Sequence, residues 1–233
     1  MNESNTAVLF VHGIQGQPKQ FFSLIGELPE GVELRAPLLP GHGKTAREFH
    51  ASGRADWLAV VRAETEALLA AGKRVVYVGH SMGCLLGLLV SRELGAPYAG
   101  MLLLCCPFRS RIAGRFVDFF RSIGKEGTGE DPRTAAALAG NSVPTEGFRD
   151  SLLLIKPYRD LFRLMASARR MRPRTPDKVR FFFSAKDEAV SARSVKHARR
   201  WPKAEVVILP GCGHCYFPEP EKQKLLAALT SLL

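Results

Sequence analysis

Gly79-His80-Ser81-Met82-Gly83 sets a serine between two glycines, after the apolar run RVVYV and before the apolar run LLGLLV. A serine at a sharp strand-to-helix turn needs a cramped backbone, and glycines at its flanks avoid collisions with the strand and helix. The amides that open the helix then face the hydroxyl, where negative charge develops when an alkoxide attacks a carbonyl. A serine hydroxyl is a weak nucleophile until a base takes its proton. His214, in PGCGHC directly after EVVIL, is the expected base. The imidazole in turn needs a carboxylate to fix its tautomer and support its charge. Asp187, in FFFSAKDEAV, sits just past an apolar run, with Glu188 as the neighbouring alternative; Asp177 precedes the same run and belongs at its other end. Two main-chain donors for the oxyanion are expected, Met82 N–H after the serine and Ile14 N–H in the loop HGIQG. The remaining histidines are weaker candidates. His80 should point away from the serine, His12 and His42 lie in turns, and His50 and His197 look like surface residues.

These residues can meet only if the elements before them lie side by side. TAVLFV (Thr6 to Val11), Val32 to Ala36, KRVVYV (Lys73 to Val78), GMLLLC (Gly100 to Cys105), VRFFF (Val179 to Phe183) and EVVIL (Glu205 to Leu209) read as six strands, several of them buried on both faces. Between them lie helical patterns near Lys19 to Leu28, Asp56 to Ala71, Met82 to Leu94, Ser191 to Trp201 and Glu219 to Leu233. Strands alternating with helices imply a mostly parallel six-stranded sheet with helices on both faces. In such a sheet all strand ends share one edge, which brings Ser81, Asp187 and His214 together despite their separation. The alternation breaks from Phe108 to about Arg174, where the pattern is helical with interruptions and Asp131-Pro132 reads as an N-cap with proline in the first turn. The expected organisation is a core of residues 1–107 and 176–233 with a helical cap, residues 108–175, inserted between the fourth and fifth strands.

The set VHGIQG, LPGHG, GHSMG, AKDEAV and GCGH resembles the α/β-hydrolase superfamily, over about Val8 to Phe217 outside the insert. Within it the chain is similar to bacterial carboxylesterases and monoacylglycerol lipases with an HGF-type oxyanion loop and a small helical cap. The resemblance implies an α/β-hydrolase fold, a serine esterase acting on a small-molecule acyl ester, no metal or organic cofactor, and an acyl pocket under the cap. Ile14 replaces the aromatic residue common in that loop, which can reshape the acyl entrance without removing the amide. The chain also begins at the strand usually third in the family, so a leading antiparallel hairpin is not expected.

Composition narrows the classes further. Hydrophobic residues make up 46% and charged residues 24%, ordinary for one globular domain of 233 residues. Five cysteines, an odd number, argue against a disulfide framework and for a reducing, cytoplasmic setting. Cys212 and Cys215 flank His214, but no second ligand pair stands at zinc spacing, and the vicinal Cys105 and Cys106 suit joint ligation poorly. The apolar start lacks the basic residues of a secretory signal, and no run reaches the roughly 20 residues of a membrane span. The net charge is +11, with 14 Lys or Arg against 7 Asp or Glu between Phe108 and Thr175. No nucleic-acid motif accompanies that excess, so a solvated basic surface is expected, with weak membrane-surface contact or a preference for anionic substrates as further consequences. Phe116, Phe119, Phe120, Leu152, Leu153, Phe162 and Leu164 are expected to pack on one another or on the core, and some to line an acyl site. The same triad serves thioesterases, amidases and peptidases, and a ligand-binding protein can keep this fold without useful turnover; the sequence leaves these open, and the oligomeric state with them.

Overall fold

Successive side chains of a strand point to opposite faces, so strands that are apolar throughout need cover on both sides. The computed structural model, which describes residues 5–111, 131–171 and 178–233, has this arrangement. Its strands are β1 (Thr6–Val11), β2 (Glu33–Arg35), β3 (Arg74–His80), β4 (Gly100–Leu104), β5 (Val179–Ser184) and β6 (Glu205–Leu209). They form one sheet in the order β2-β1-β3-β4-β5-β6, with every neighbouring pair parallel. Val8 and Phe10 face one side with Val76, Val78, Leu102 and Phe182. Ala7, Leu9 and Val11 face the other, with Val75, Tyr77, Leu103, Phe181 and Phe183.

Nine α-helices are described: α1 (Phe22–Ile25), α2 (Ala46–Ala51), α3 (Arg54–Ala70), α4 (Met82–Glu93), α5 (Pro132–Gly140), α6 (Gly147–Leu153), α7 (Ile155–Arg170), α8 (Arg193–Ala198) and α9 (Glu219–Thr230). Helices α1 and α9 cover the first face through Leu24, Leu225 and Leu229. Helices α3, α4 and α8 cover the second through residues such as Trp57, Leu85 and Ala198, and α7 packs outside them on α4 and α3. Apolar on nearly all sides, α4 is buried along most of its length, as its sequence predicts.

Several elements differ from the sequence reading. The helix expected over Lys19 to Leu28 is a 3₁₀ turn, Pro18–Phe21, followed by the single α-turn of α1. Gly26 caps that turn and Phe22 stays exposed, so little packing supports a longer helix. Helix α2 was not expected at all, because the preceding PLLPGHG reads as a loop. Its signal is a capping box: the Thr45 hydroxyl accepts from Glu48 N at 3.3 Å, and Glu48 Oε2 accepts from Thr45 N at 3.2 Å. The long helical pattern after Glu146 is two helices that meet at Leu154. Asp131 does cap α5, accepting from Arg133 N at 3.1 Å. Leu164 lies in the main core, Leu152 and Phe162 are largely exposed, and Phe116, Phe119 and Phe120 fall outside the described residues.

The glycines of the serine turn are needed for close approach. A Cβ on Gly83 stands 2.0 Å from Val11 O, and one on Gly79 stands 2.8 Å from Cys84 N; both obstacles are backbone. Gly83→Ala forces β1 and α4 apart, an overpacking cost of about 3 kcal/mol that lowers the melting temperature by about 6–12 °C. Thermal denaturation by circular dichroism checks this, and a melting temperature within about 2 °C of the parent contradicts it.

Candidate active site

The parallel register places the carboxyl ends of β1, β3, β4, β5 and β6 along one edge: Val11 lies opposite Gly79, His80 opposite Leu104, and Ser184 opposite Leu209. Ser81 follows β3 immediately and opens α4 with φ 51° and ψ −118°. A non-glycine residue rarely adopts this conformation, and here it turns the hydroxyl off the sheet edge while Ser81 N–H still donates to Leu104 O at 2.9 Å. Met82 is the first helical residue, so its N–H belongs to the turn without intrahelical acceptors. Ile14 lies in the turn after β1, lines the same cavity as Ser81, and among the described residues no backbone carbonyl accepts from its amide.

Two loops bring the partners. The loop after β5 carries Asp187, and the loop after β6 carries His214. Ser81 Oγ lies 3.1 Å from His214 Nε2, and His214 Nδ1 lies 3.0 and 3.1 Å from the two oxygens of Asp187. All three residues are buried. Asp187 Oδ1 also accepts from Ala189 N at 2.9 Å and Val190 N at 2.6 Å, which locks the carboxylate in its own turn. Glu188, the alternative carboxylate, is elsewhere: its Oε2 accepts from His214 N at 2.8 Å and holds the backbone rather than the ring.

The electrostatics follow from these contacts. Burial pushes the Asp187 carboxyl up, but the His214 ring and the Val190 and Ala189 amides outweigh it and leave the group below the ordinary carboxylate value. For His214 burial acts downward, and the Asp187 charge and hydrogen bond, with a smaller contribution from Glu188, carry the ring above the ordinary 6.5. His80 is buried, and its Nε2 donates to His214 O at 2.8 Å. Burial, then the nearby His214, lowers its pKa to about 3, so it is neutral and braces the loop without competing as a base. His12 is likewise lowered to about 3, mainly by burial, and accepts from Leu39 N at 3.1 Å. His50 departs from its expected surface place: its Nδ1 donates to Leu153 O at 2.8 Å, tying α2 to α6.

A cavity of about 300 Å³ opens beside Ser81 and His214. Leu104, Leu161, Phe162, Met165 and Val190 give it apolar lining, and Lys19, Gln20 and Lys222 also border it. Phe162 therefore reaches the site as expected, and Leu161 and Met165 join it. The loop carrying Ile14 is tied to the segment between β4 and β5 through Gln15 and Ser142, a contact with no motif to announce it. Two ligand-like clusters exist among the described residues, His80 with His214 and Cys215, and Cys105 with Asp187 and His214. Both need His214, whose ring nitrogens are already engaged by Ser81 and Asp187, and the Cys215 thiol is pushed up to about 12 by burial and the nearby carboxylates. The donor set suits a proton relay better than a metal.

The model of the alpha/beta hydrolase family matches residues 8–223, almost the whole chain. The chain belongs to that family. No curated protein matches the sequence. Among solved structures, the chain is similar to a structure of the metagenome-derived lipolytic enzymes LipS and LipT, at 19% identity and a TM-score of 0.73 over 99% of this chain and 94% of that one. It is similar to a soluble variant of monoglyceride lipase from Saccharomyces cerevisiae, at 18% identity and a TM-score of 0.75 over 99% and 86%. It is also similar to the RedJ thioesterase of the prodiginine pathway in Streptomyces coelicolor, at 20% identity and a TM-score of 0.64 over 99% and 91%. At these identities the likeness is one of fold. Among the described residues of the chain, no helix is long and apolar enough to cross a membrane.

A histidine NMR pH series on the parent is expected to place the His214 midpoint above 6.5. Asp187→Asn removes the charge that opposes burial, so the midpoint falls below 6.5; Glu188→Gln lowers it by less. A larger drop for Glu188→Gln contradicts the assignment of the supporting carboxylate.

Proposed function

We propose that the protein is a serine esterase, cleaving carboxylic esters with short to medium acyl chains through an acyl-enzyme on Ser81. The observation that carries this reading is the unbroken hydrogen-bonded line from Asp187 through His214 to Ser81 Oγ, ending at a largely apolar cavity. Ser81 Oγ attacks the acyl carbonyl carbon as its proton passes to His214 Nε2. The carbonyl oxygen becomes an oxyanion and takes hydrogen bonds from the Ile14 and Met82 amides. Collapse of the tetrahedral adduct breaks the ester C–O bond, and the leaving alcohol takes the proton from His214. A water then attacks the acyl-enzyme with His214 again as base, releasing the acid and restoring Ser81. Asp187 keeps Nδ1 protonated, so that Nε2 presents its lone pair to the hydroxyl.

Residues 108–175 serve as a cap over the acyl site in this reading, and residues 1–107 and 176–233 as the catalytic core. The apolar residues from α7 and the β5 loop support placing the acyl chain there. A thioester is a second substrate class, favoured by the likeness to the RedJ thioesterase, since its acyl half makes the same demands on the site. No metal or organic cofactor enters the proposed chemistry.

Ser81→Ala is expected to reduce turnover of p-nitrophenyl butyrate by at least about 10³-fold, and Asp187→Asn by about 10⁴-fold. Glu188→Gln should stay within about 10-fold of the parent, because the ring keeps its carboxylate partner. A parent-like rate for Ser81→Ala contradicts the mechanism. Across a p-nitrophenyl ester series the rate should peak beyond acetyl, and a maximum at acetyl or a flat response excludes the acyl-site assignment. His214 accepts a proton only when neutral, and its folded pKa is raised. The acid limb of kcat/KM should therefore rise with pH through a midpoint above 6.5. A midpoint below 6.5 contradicts the coupling to Asp187.

A further inference from the structure

Gln15, one residue beyond Ile14, is buried and has φ 53°. A side-chain-bearing residue in this left-handed region persists only when its surroundings hold it there. The hold comes from residues more than a hundred positions away. Ser142 N–H donates to Gln15 O at 2.7 Å. The Ser142 hydroxyl lies 2.6 Å from Gly16 O and 3.1 Å from Gln15 O, and its oxygen accepts from Gly43 N at 3.1 Å. The Tyr158 hydroxyl, from α7, donates to the side-chain carbonyl Oε1 of Gln15. Gln17 Nε2 donates to Ala139 O at 3.2 Å. A turn of five residues is thus gripped on its backbone, on one side chain and on its far end by the segment between β4 and β5.

A turn after a strand has few internal bonds of its own. Here the internal ones are Gly16 N to Gly13 O at 3.0 Å and His12 Nδ1 to Gly13 O at 2.8 Å, both short-range. Both hold Gly13 O, and so the Gly13–Ile14 peptide that carries the Ile14 amide, but the first of them draws its donor from the Gln15–Gly16 peptide, whose orientation neither fixes and whose carbonyl Ser142 grips. The bonds that bear on Gln15 come from the insert. An oxyanion donor acts by being aimed before the charge forms, so whatever aims it contributes to the rate without touching substrate.

We propose that Ser142 and Tyr158 are positioning residues for the oxyanion site, so that the insert shapes the catalytic loop as well as walling the acyl cavity. This rests on the esterase reading, with Ile14 as donor. Its consequence is that the insert and the Ile14 amide form one mechanical unit: displacing the Ser142 turn from the core also unmakes the oxyanion site.

The test compares Ser142→Ala, Tyr158→Phe and Ser142→Thr with the parent on p-nitrophenyl butyrate, and with a trifluoromethyl ketone carrying the same acyl chain. The ketone adds to the active serine as a hemiketal oxyanion and so reports on the donors. Ser142→Ala and Tyr158→Phe should each lower kcat about 10- to 100-fold, with KM within about two-fold of the parent. The ketone's inhibition constant should rise in step, and Ser142→Thr, which keeps the hydroxyl, should recover most of the rate. Tyr158→Phe removes a single oxygen, so it keeps the test open if Ser142→Ala does not fold. An unchanged kcat, a rise in KM alone, or a loss of kcat with unchanged ketone affinity overturns the inference. A parent lacking Ser81-dependent turnover is a separate outcome, which overturns the esterase reading and this inference with it.

Discussion

A carboxylate removed from water is costly unless other groups replace the water it lost, and Asp187 is a buried carboxylate. Two backbone amides and the His214 ring supply the replacement, and the ring can do so only with Nδ1 protonated. Satisfying this one charge therefore fixes the tautomer of His214, leaves Nε2 facing Ser81, and sets which atom can take a proton. The rest of the site arranges itself around that requirement. Glu188 and His80 grip the backbone of His214 on either side of its Cα, through its N–H and its C=O. The ring is held by Asp187 and the chain behind it by its neighbours, a preorganisation that spares reorganisation during reaction.

Much of this was legible in the sequence because the fold converts order along the chain into proximity. Each of Ser81, Asp187 and His214 follows an apolar strand run, and a parallel sheet delivers all such positions to one edge. The glycines around Ser81 were legible for the same reason, since their spacing answers to backbone contacts that leave no room for a Cβ. Local signals served less well. The helix expected from Lys19 was cut short at Gly26, where packing support ends, and α2 was hidden by a glycine- and proline-rich lead although its Thr45–Glu48 box was in view.

The roles of His80, Glu188, Ser142 and Tyr158 had no such signal. Each acts through a long-range contact to main chain or to an uncharged side chain, and such contacts leave no periodicity or motif behind. His80 shows the difficulty well. Its place beside the serine predicts only a side chain turned away from the hydroxyl, and nothing there announces that the ring donates to His214 O. Hydrophobicity did not sort the apolar residues between β4 and β5 one by one: Leu164 packs in the core and Phe162 borders the cavity, both within what was expected, while Leu161 and Met165 at the cavity were not singled out.

In the proposed reaction the acyl group passes through Ser81 Oγ, with His214 and Asp187 behind it. Acid-quenched intact-mass and peptide analysis after brief mixing with a p-nitrophenyl ester tests it most directly. The expected result is a mass gain of one acyl group in place of a hydrogen, located on the peptide holding Ser81 and lost on standing in water. Turnover with no such adduct on rapid quenching, or an adduct seated on Cys215 or another residue, contradicts it.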